Sequence, residues 1–121
     1  MKGQGRRPER VAEAIREVVA PFLATQVRDP RVGLVTVTAV HITPDLRHAV
    51  VSVAIHGDEA EHERTLEGLA SAASAVRSEV GRALRLRVVP EIEFALDKGV
   101  EHASHIASVL ATLRRLESDR P

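Results

Sequence analysis

The segment Leu34–Gly57, LVTVTAVHITPDLRHAVVSVAIHG, carries the alternation on which the fold turns. From His48 to His56 every second residue is apolar, so Ala49, Val51, Val53 and Ile55 share one face. His48, Ser52 and His56 share the other, with Val50 as the apolar exception. A period of two is the mark of a half-buried strand. The run before it, Leu34 to Thr43, is rich in Val and Thr, which suit a pleated surface. Its alternation slips at Ala39-Val40: Val35 and Val37 point one way, Val40 and Ile42 the other. One extra residue, a β-bulge, accounts for the slip. Thr43-Pro44-Asp45 supplies turn chemistry between the two strands, so the pair reads as a hairpin.

Outward from the hairpin the period changes to that of a helix. Upstream, a helix begins near Pro8, and Val11, Ile15, Val18 and Phe22 fall on one of its faces. Pro21 removes a helical hydrogen bond, which predicts a bend or an end there. Asp29-Pro30-Arg31 with Gly33 reads as a loop. Downstream, Leu66, Leu69 and Ala73 mark a second helix, and Val76, Val80 and Leu84 restart a face. Between them Ala70 to Ala75 are all small, which suits either close packing or a joint between two helices. A third strand runs through Val88, Ile92, Phe94 and Leu96, with Glu91 and Glu93 facing out. Val100, Ala103, Ile106, Leu110 and Leu113 give a final amphipathic helix, and Glu117 to Pro121 a frayed end. The order α-β-β-α-α-β with a C-terminal helical tail predicts an α+β domain: a three-stranded sheet covered on one face by helices.

Composition limits the chemistry. The 121 residues suffice for one core, and no apolar run approaches the roughly 20 residues that span a membrane. Met1 to Arg10 lacks the pattern of a secretory signal, and a chain without cysteine has neither disulfides nor thiolate ligands. A cytoplasmic protein is expected. Seventeen basic residues balance seventeen acidic ones, and all of the basic ones except Lys2 and Lys98 are Arg. Arg grips phosphate in a two-pronged geometry that Lys cannot match. The charge is unevenly spread. Met1 to Arg31 and Arg77 to Arg87 are basic, whereas Asp58 to Glu67 holds five acids against Arg64. Patches, not totals, set the attraction to phosphate. Phe22 and Phe94 are the only aromatics, too few for a platform on which RNA bases stack.

Catalytic and metal constellations are thin. His102 and His105 can share a helix face, and His41, His48 and His56 lie on the hairpin. No Asp or Glu completes a metal-ligand spacing, so no metal is expected. Asp45, His48 and Ser52 could be read as a triad, but Asp45 is better explained by the turn. No nucleophile elbow, phosphate-cradling loop or dinucleotide fingerprint is present, and no enzyme, cofactor or small-molecule substrate is expected. What remains is the Arg cluster. Arg77 lies on a helix, while Arg85 and Arg87 alternate into the third strand; such rigid residues beside a helix joint can grip a nucleic-acid backbone.

The stretch Arg77–Phe94, RSEVGRALRLRVVPEIEF, closely resembles the signature of the ribosome-binding factor A family. So do Arg10-Val11-Ala12, Asp29-Pro30-Arg31 with Gly33, and Pro44-Asp45-Leu46-Arg47-His48-Ala49. The similarity runs in order from about Arg7 to Leu113, nearly the whole chain. The resemblance implies a type II KH-like fold over residues 8–98, with a flexible basic N-terminus at 1–7 and a helical tail at 99–121. It also implies a non-enzymatic bacterial factor that binds the immature 30S subunit near 16S rRNA; a monomer is the default expectation. Such a factor assists late maturation, including processing of the 16S rRNA 5′ end, and matters most in the cold.

Carried onto this sequence, the family's Ala-x-Gly kink between two helices falls on Ala72-Ala73-Ser74, where Ser74 replaces the glycine. Val50 replaces a frequent Lys, removing one expected phosphate contact, and Gly99 replaces a common Ser. The RNA-contacting residues are expected to be Arg77, Arg82, Arg85 and Arg87, helped by Arg31, Arg47 and Arg10. Two alternatives carry different signatures. A general KH-type binder would take short single-stranded oligonucleotides. A protein-interaction domain would bind a protein with little dependence on salt.

Overall fold

The computed structural model describes residues 7–27, 29–98 and 102–118, the side chains of the last stretch from Ile106 to Leu116. In chain order its elements are α1 (Arg7–Thr25), β1 (Val35–Ile42), β2 (His48–Ile55), α2 (Glu59–Leu84), β3 (Glu91–Leu96) and α3 (His102–Ser118). The expected residues 1–6 and the Gly99 replacement lie outside the described residues.

The hairpin forms as its alternation requires. β1 and β2 are antiparallel, and the register shifts between Val37 and Ala39, so Thr38 is the extra residue of a bulge. The turn is held by side chains. The Thr43 hydroxyl donates to Asp45 Oδ1 at 2.6 Å and accepts from the His48 amide at 3.1 Å. The Arg47 amide donates to the same Asp45 oxygen at 3.1 Å, while Leu46 takes a left-handed φ of 63°. β3 then joins β2 in parallel, which leaves β2 central and β1 and β3 as edges. A parallel return needs a long crossover, and α2 is that crossover.

α2 starts at a capping box. The Asp58 carboxylate accepts from the Glu61 amide at 2.9 Å, and Glu61 Oε1 accepts from the Asp58 amide at 3.0 Å. Gly57 before it adopts a φ of 119°, and a Cβ there would lie 2.2 Å from Glu61 Oε1. Where the sequence predicts two helices joined at Ala72-Ala73-Ser74, the structure has one, continuous over 26 residues. Ala72, Ala73 and Ala75 are strong helix formers, and Ser74 bears a Cβ that makes a left-handed φ costly by about 1–2 kcal/mol. Positive φ among the described residues is confined to Leu46, Gly57 and Arg85.

α1 and α2 cover the expected sheet face. Ala49, Val51, Val53 and Ile55 meet Ile15 and Val19 of α1 and Leu69, Val76 and Val80 of α2 in one cluster. The buried stripe of α1 is Ala12, Ile15, Val19 and Leu23, turned slightly from the predicted one, and Val11, Val18 and Phe22 flank it half-buried. Pro21 does not end the helix. Burial of Leu23 holds the last turn, and the Thr25 hydroxyl donates back to the Pro21 carbonyl at 2.8 Å.

The opposite sheet face is also covered, which the sequence does not anticipate. α3 lies across it, and Ile106 packs on Val50 and Ala95 with Val109, Leu110 and Leu113 around them. Val50 is fully buried, so the apolar exception of β2 is the seat of the tail and not a phosphate contact that has been lost. β2 is buried on both sides except at Ala54. β3 begins at Glu91, later than predicted, because Arg85 ends α2 in a left-handed cap (φ 53°) and Pro90 precedes the ladder. Arg85 and Arg87 therefore sit in a loop, not on a strand.

Candidate nucleic-acid interface

The Arg residues singled out by sequence divide into those that hold the fold together and those that face solvent. Arg77 is a strut: its Nε donates to the Pro90 carbonyl at 3.1 Å and an η nitrogen to the Val89 carbonyl at 2.9 Å. These bonds tie α2 to the loop that leads into β3. Arg82 pairs with Glu79 one turn earlier on α2. Arg31 forms a two-pronged pair with Asp29, at 3.0 Å through Nε and 2.6 Å through an η nitrogen, and that η nitrogen also donates to Ser71 Oγ at 3.0 Å. The Arg31 side-chain and amide bonds hold the Asp29 carboxyl at about 2, well below its ordinary 3.8. Gly68 admits this loop to α2, since a Cβ there would lie 2.7 Å from Val32. Arg31 is thus committed to a loop clamp whose charge is already matched.

Arg10, Arg85 and Arg87 are exposed and make no side-chain hydrogen bond or ion pair among the described residues. Arg87 lines a hollow of about 240 Å³ together with Arg7, Val11, Asp45 and Leu46. The hollow lies where the start of α1, the hairpin turn and the α2–β3 loop meet. Arg10 follows Arg7 by one turn of α1, and Arg47 is exposed in the adjoining turn, its carbonyl accepting from the Glu91 amide at 2.8 Å. α3 reaches the same end of the molecule. Burial raises the Asp45 carboxyl, but the Thr43 hydroxyl, the Arg47 amide, and the charges of Arg114 and His48 outweigh it and leave it below the ordinary range. Beside Arg87, Val88 is 60% exposed, an apolar contact within the basic rim.

The structure therefore brings together Arg7, Arg10, Arg47, Arg87 and Arg114, and sets Arg31 apart. Sequence reasoning singles out neither Arg7 nor Arg114 as a contact residue. Arg7 could be found from its spacing to Arg10, but Arg114 joins only because α3 folds back across the sheet. Ala72, Ala73 and Ser74 lie mid-helix and present no loop to a ligand.

Ser52 is fully buried and His48 nearly so, while Asp45 is engaged in the turn, so these three form no open triad. Among the described residues no group of three His, Asp or Glu could hold a metal ion; the side chains of His102 and His105 lie outside those described. Phe22 and Phe94 are half-buried against the core, which leaves no stacking platform. No described helix is long and apolar enough to cross a membrane.

Comparisons with known proteins agree with one another. Residues 7–110 match the family model described as ribosome-binding factor A. The chain is 55% identical over 113 residues to the ribosome-binding factor A of Gemmatimonas aurantiaca, covering 93% of this chain and 77% of that protein. It is 41% identical over 112 residues to that of Desulforamulus reducens, covering 93% of each. The crystal structure of the Thermus thermophilus ribosome-binding factor A superposes with a TM-score of 0.65 at 26% identity, covering 74% of this chain and 94% of that one. A homology model of the Thermus thermophilus factor, fitted into a cryo-electron-microscopy map of a complex with the 30S subunit, gives 0.59 at 27% identity, covering 69% and 88%.

Proposed function

Because the chain belongs to the ribosome-binding factor A family, we propose that it binds the immature 30S ribosomal subunit and assists its late maturation, including processing of the 16S rRNA 5′ end, without catalysing a reaction. The observation that carries this reading is the basic end, where three elements distant in sequence meet at one hollow lined by Arg7 and Arg87, with Arg47 exposed in the adjoining turn. Arg10 and Arg114 extend the surface along α1 and α3. Arg85 adds a guanidinium beside it at the end of α2. Each fixed Arg can neutralise a phosphate and release its counterion.

Specificity then comes from shape. The Arg residues sit on a rigid frame, so only a backbone that presents phosphates at matching intervals engages them together. No exposed aromatic reads bases. The factor acts in the cytoplasm as a monomer, in this reading, and works by occupying its site until the particle no longer fits.

Co-sedimentation with immature and mature small subunits at two salt concentrations tests this. Preferential pelleting with the immature particle is expected, falling by about one power of salt for each phosphate neutralised. Arg87→Ala with Arg10→Ala should weaken pelleting several-fold at an unchanged melting temperature. Arg77→Ala should instead lower the melting temperature, because it strands the Val89 and Pro90 carbonyls. Equal pelleting with both particles, independent of salt, would overturn the reading.

A further inference from the structure

The free edge of β3 from Glu93 to Leu96 shares no lining residue with the hollow of the basic end and has the opposite charge. A groove of about 600 Å³ runs along it, and the consecutive residues Glu93, Phe94, Ala95 and Leu96 all line it. Neighbouring residues of a strand point to opposite faces. A groove that touches four in a row therefore straddles the edge itself. α2 forms one wall through Glu59, His62, Glu63 and Leu66, which are spaced to share one helix face, and Val109 of α3 stands on the other side. The groove is a slot between the two helical layers, with the strand edge as its floor.

That floor has unused backbone. The amides of Glu91 and Asp97 donate to the carbonyls of Arg47 and Val53, so residues of that parity turn their backbone toward β2. In a parallel pair the intervening residues turn theirs outward. Phe94 and Leu96 thus present amide and carbonyl to the slot, and no described strand pairs there. His62 lies in the slot wall, its Nε2 buried without a hydrogen-bond partner among the described residues. Among the described lining residues, the rim carries Glu59, Glu63 and Glu93 against Lys98.

We infer that this slot binds an extended peptide from a protein partner, a segment carrying both apolar and basic residues on each face, that adds to the sheet as a fourth strand beside β3. Pairing with Phe94 and Leu96 satisfies the outward backbone groups. Peptide side chains of one parity fall on the α2 wall, against Leu66 with Glu59 and Glu63 beside it, and those of the other parity fall on the α3 side, against Val109 with Glu93 beside it. The acidic rim repels a phosphate backbone, so a nucleic acid is the wrong occupant. The inference does not depend on the ribosomal reading, since it uses none of the residues of the basic end.

The test uses the full chain and a displayed library of decapeptides randomised over Lys, Arg, Val, Ile, Leu and Thr. Selected peptides should combine basic and apolar residues on both faces and should slow hydrogen exchange of the Phe94 and Leu96 amides. The exposed-site variant Glu63→Lys with Glu93→Lys should weaken them about tenfold at an unchanged circular dichroism spectrum. Methylating alternate peptide amides should abolish the protection. Failure to enrich any sequence over the double variant would overturn the inference. So would bound peptides that leave those amides unprotected, or a single-stranded RNA hexamer library that protects them instead.

Discussion

The same residue type does opposite work in this chain, and its partners decide which. Arg77 and Arg31 donate to groups of the protein, Arg85 and Arg87 to none of those described. Arg85 also occupies a left-handed φ that glycine would fill at lower cost. Exposed there, Arg85 points a charge outward at the end of a helix. The Asp29–Arg31 clamp makes a prediction of its own. The folded Asp29 carboxyl lies at about 2, below the ordinary 3.8. A depressed carboxyl contributes stability that is complete above its unfolded value and is lost as the pH falls through the folded one. The wild type should therefore exceed Asp29→Asn by a constant margin at neutral pH, and the margin should vanish between about pH 4 and pH 2. Urea unfolding of both proteins across that range checks it. Because the pair is partly open to solvent, the margin should also shrink in high salt.

Among the elements, α2 departs furthest from its sequence reading. Serine in a run of alanines can signal a joint, but here the run packs as uninterrupted helix, and Leu69, Val76 and Val80 bury a single stripe through it. Ser74→Gly should cost about 0.5–1 kcal/mol and raise hydrogen exchange locally around Ala72 to Val76, without changing the folded ends. Loss of helix exchange protection along the whole of α2 would mean that the element is not held at both ends by tertiary packing. The strands were legible because their period is short and self-contained: Val35, Val37, Val40 and Ile42 reveal even the bulge. The hairpin turn was legible because Pro44 and Asp45 act locally. Less legible was the third strand's start, since a non-glycine left-handed cap at Arg85 leaves no mark in composition. Nor could alternation explain Val50, whose partner Ile106 lies more than fifty residues away. The candidate site divided in the same way. Arg10, Arg47, Arg85 and Arg87 can be picked from the sequence as exposed cations; the bonds of Arg77 to the Val89 and Pro90 carbonyls are set by tertiary structure, whereas the pairing of Arg31 with Asp29, two residues away, is local.

At the scale of the whole molecule, the sheet separates two layers of unequal strength. α1 and α2 share the large core, whereas α3 rests on a small cluster centred on Val50, Ala95 and Ile106. Elements with few buried apolar contacts open at lower free energy than the global transition. α3 nevertheless carries Arg114 to the basic end and Val109 to the acidic slot, so its docking completes both surfaces. Ile106 is 2% exposed, and truncating such a side chain costs about 2–5 kcal/mol. In Ile106→Ala that cost should fall first on docking. Exchange of the α3 amides should accelerate by orders of magnitude, while the amides of Ile15 to Val19 and of Leu69 to Val80 keep their protection. The Asp45 carboxyl should rise once Arg114 no longer acts on it, and a titration followed by NMR reads this directly. Equal acceleration in all three helices would show instead that α3 and the main core unfold as one unit, and that the tail cannot be released without losing the domain.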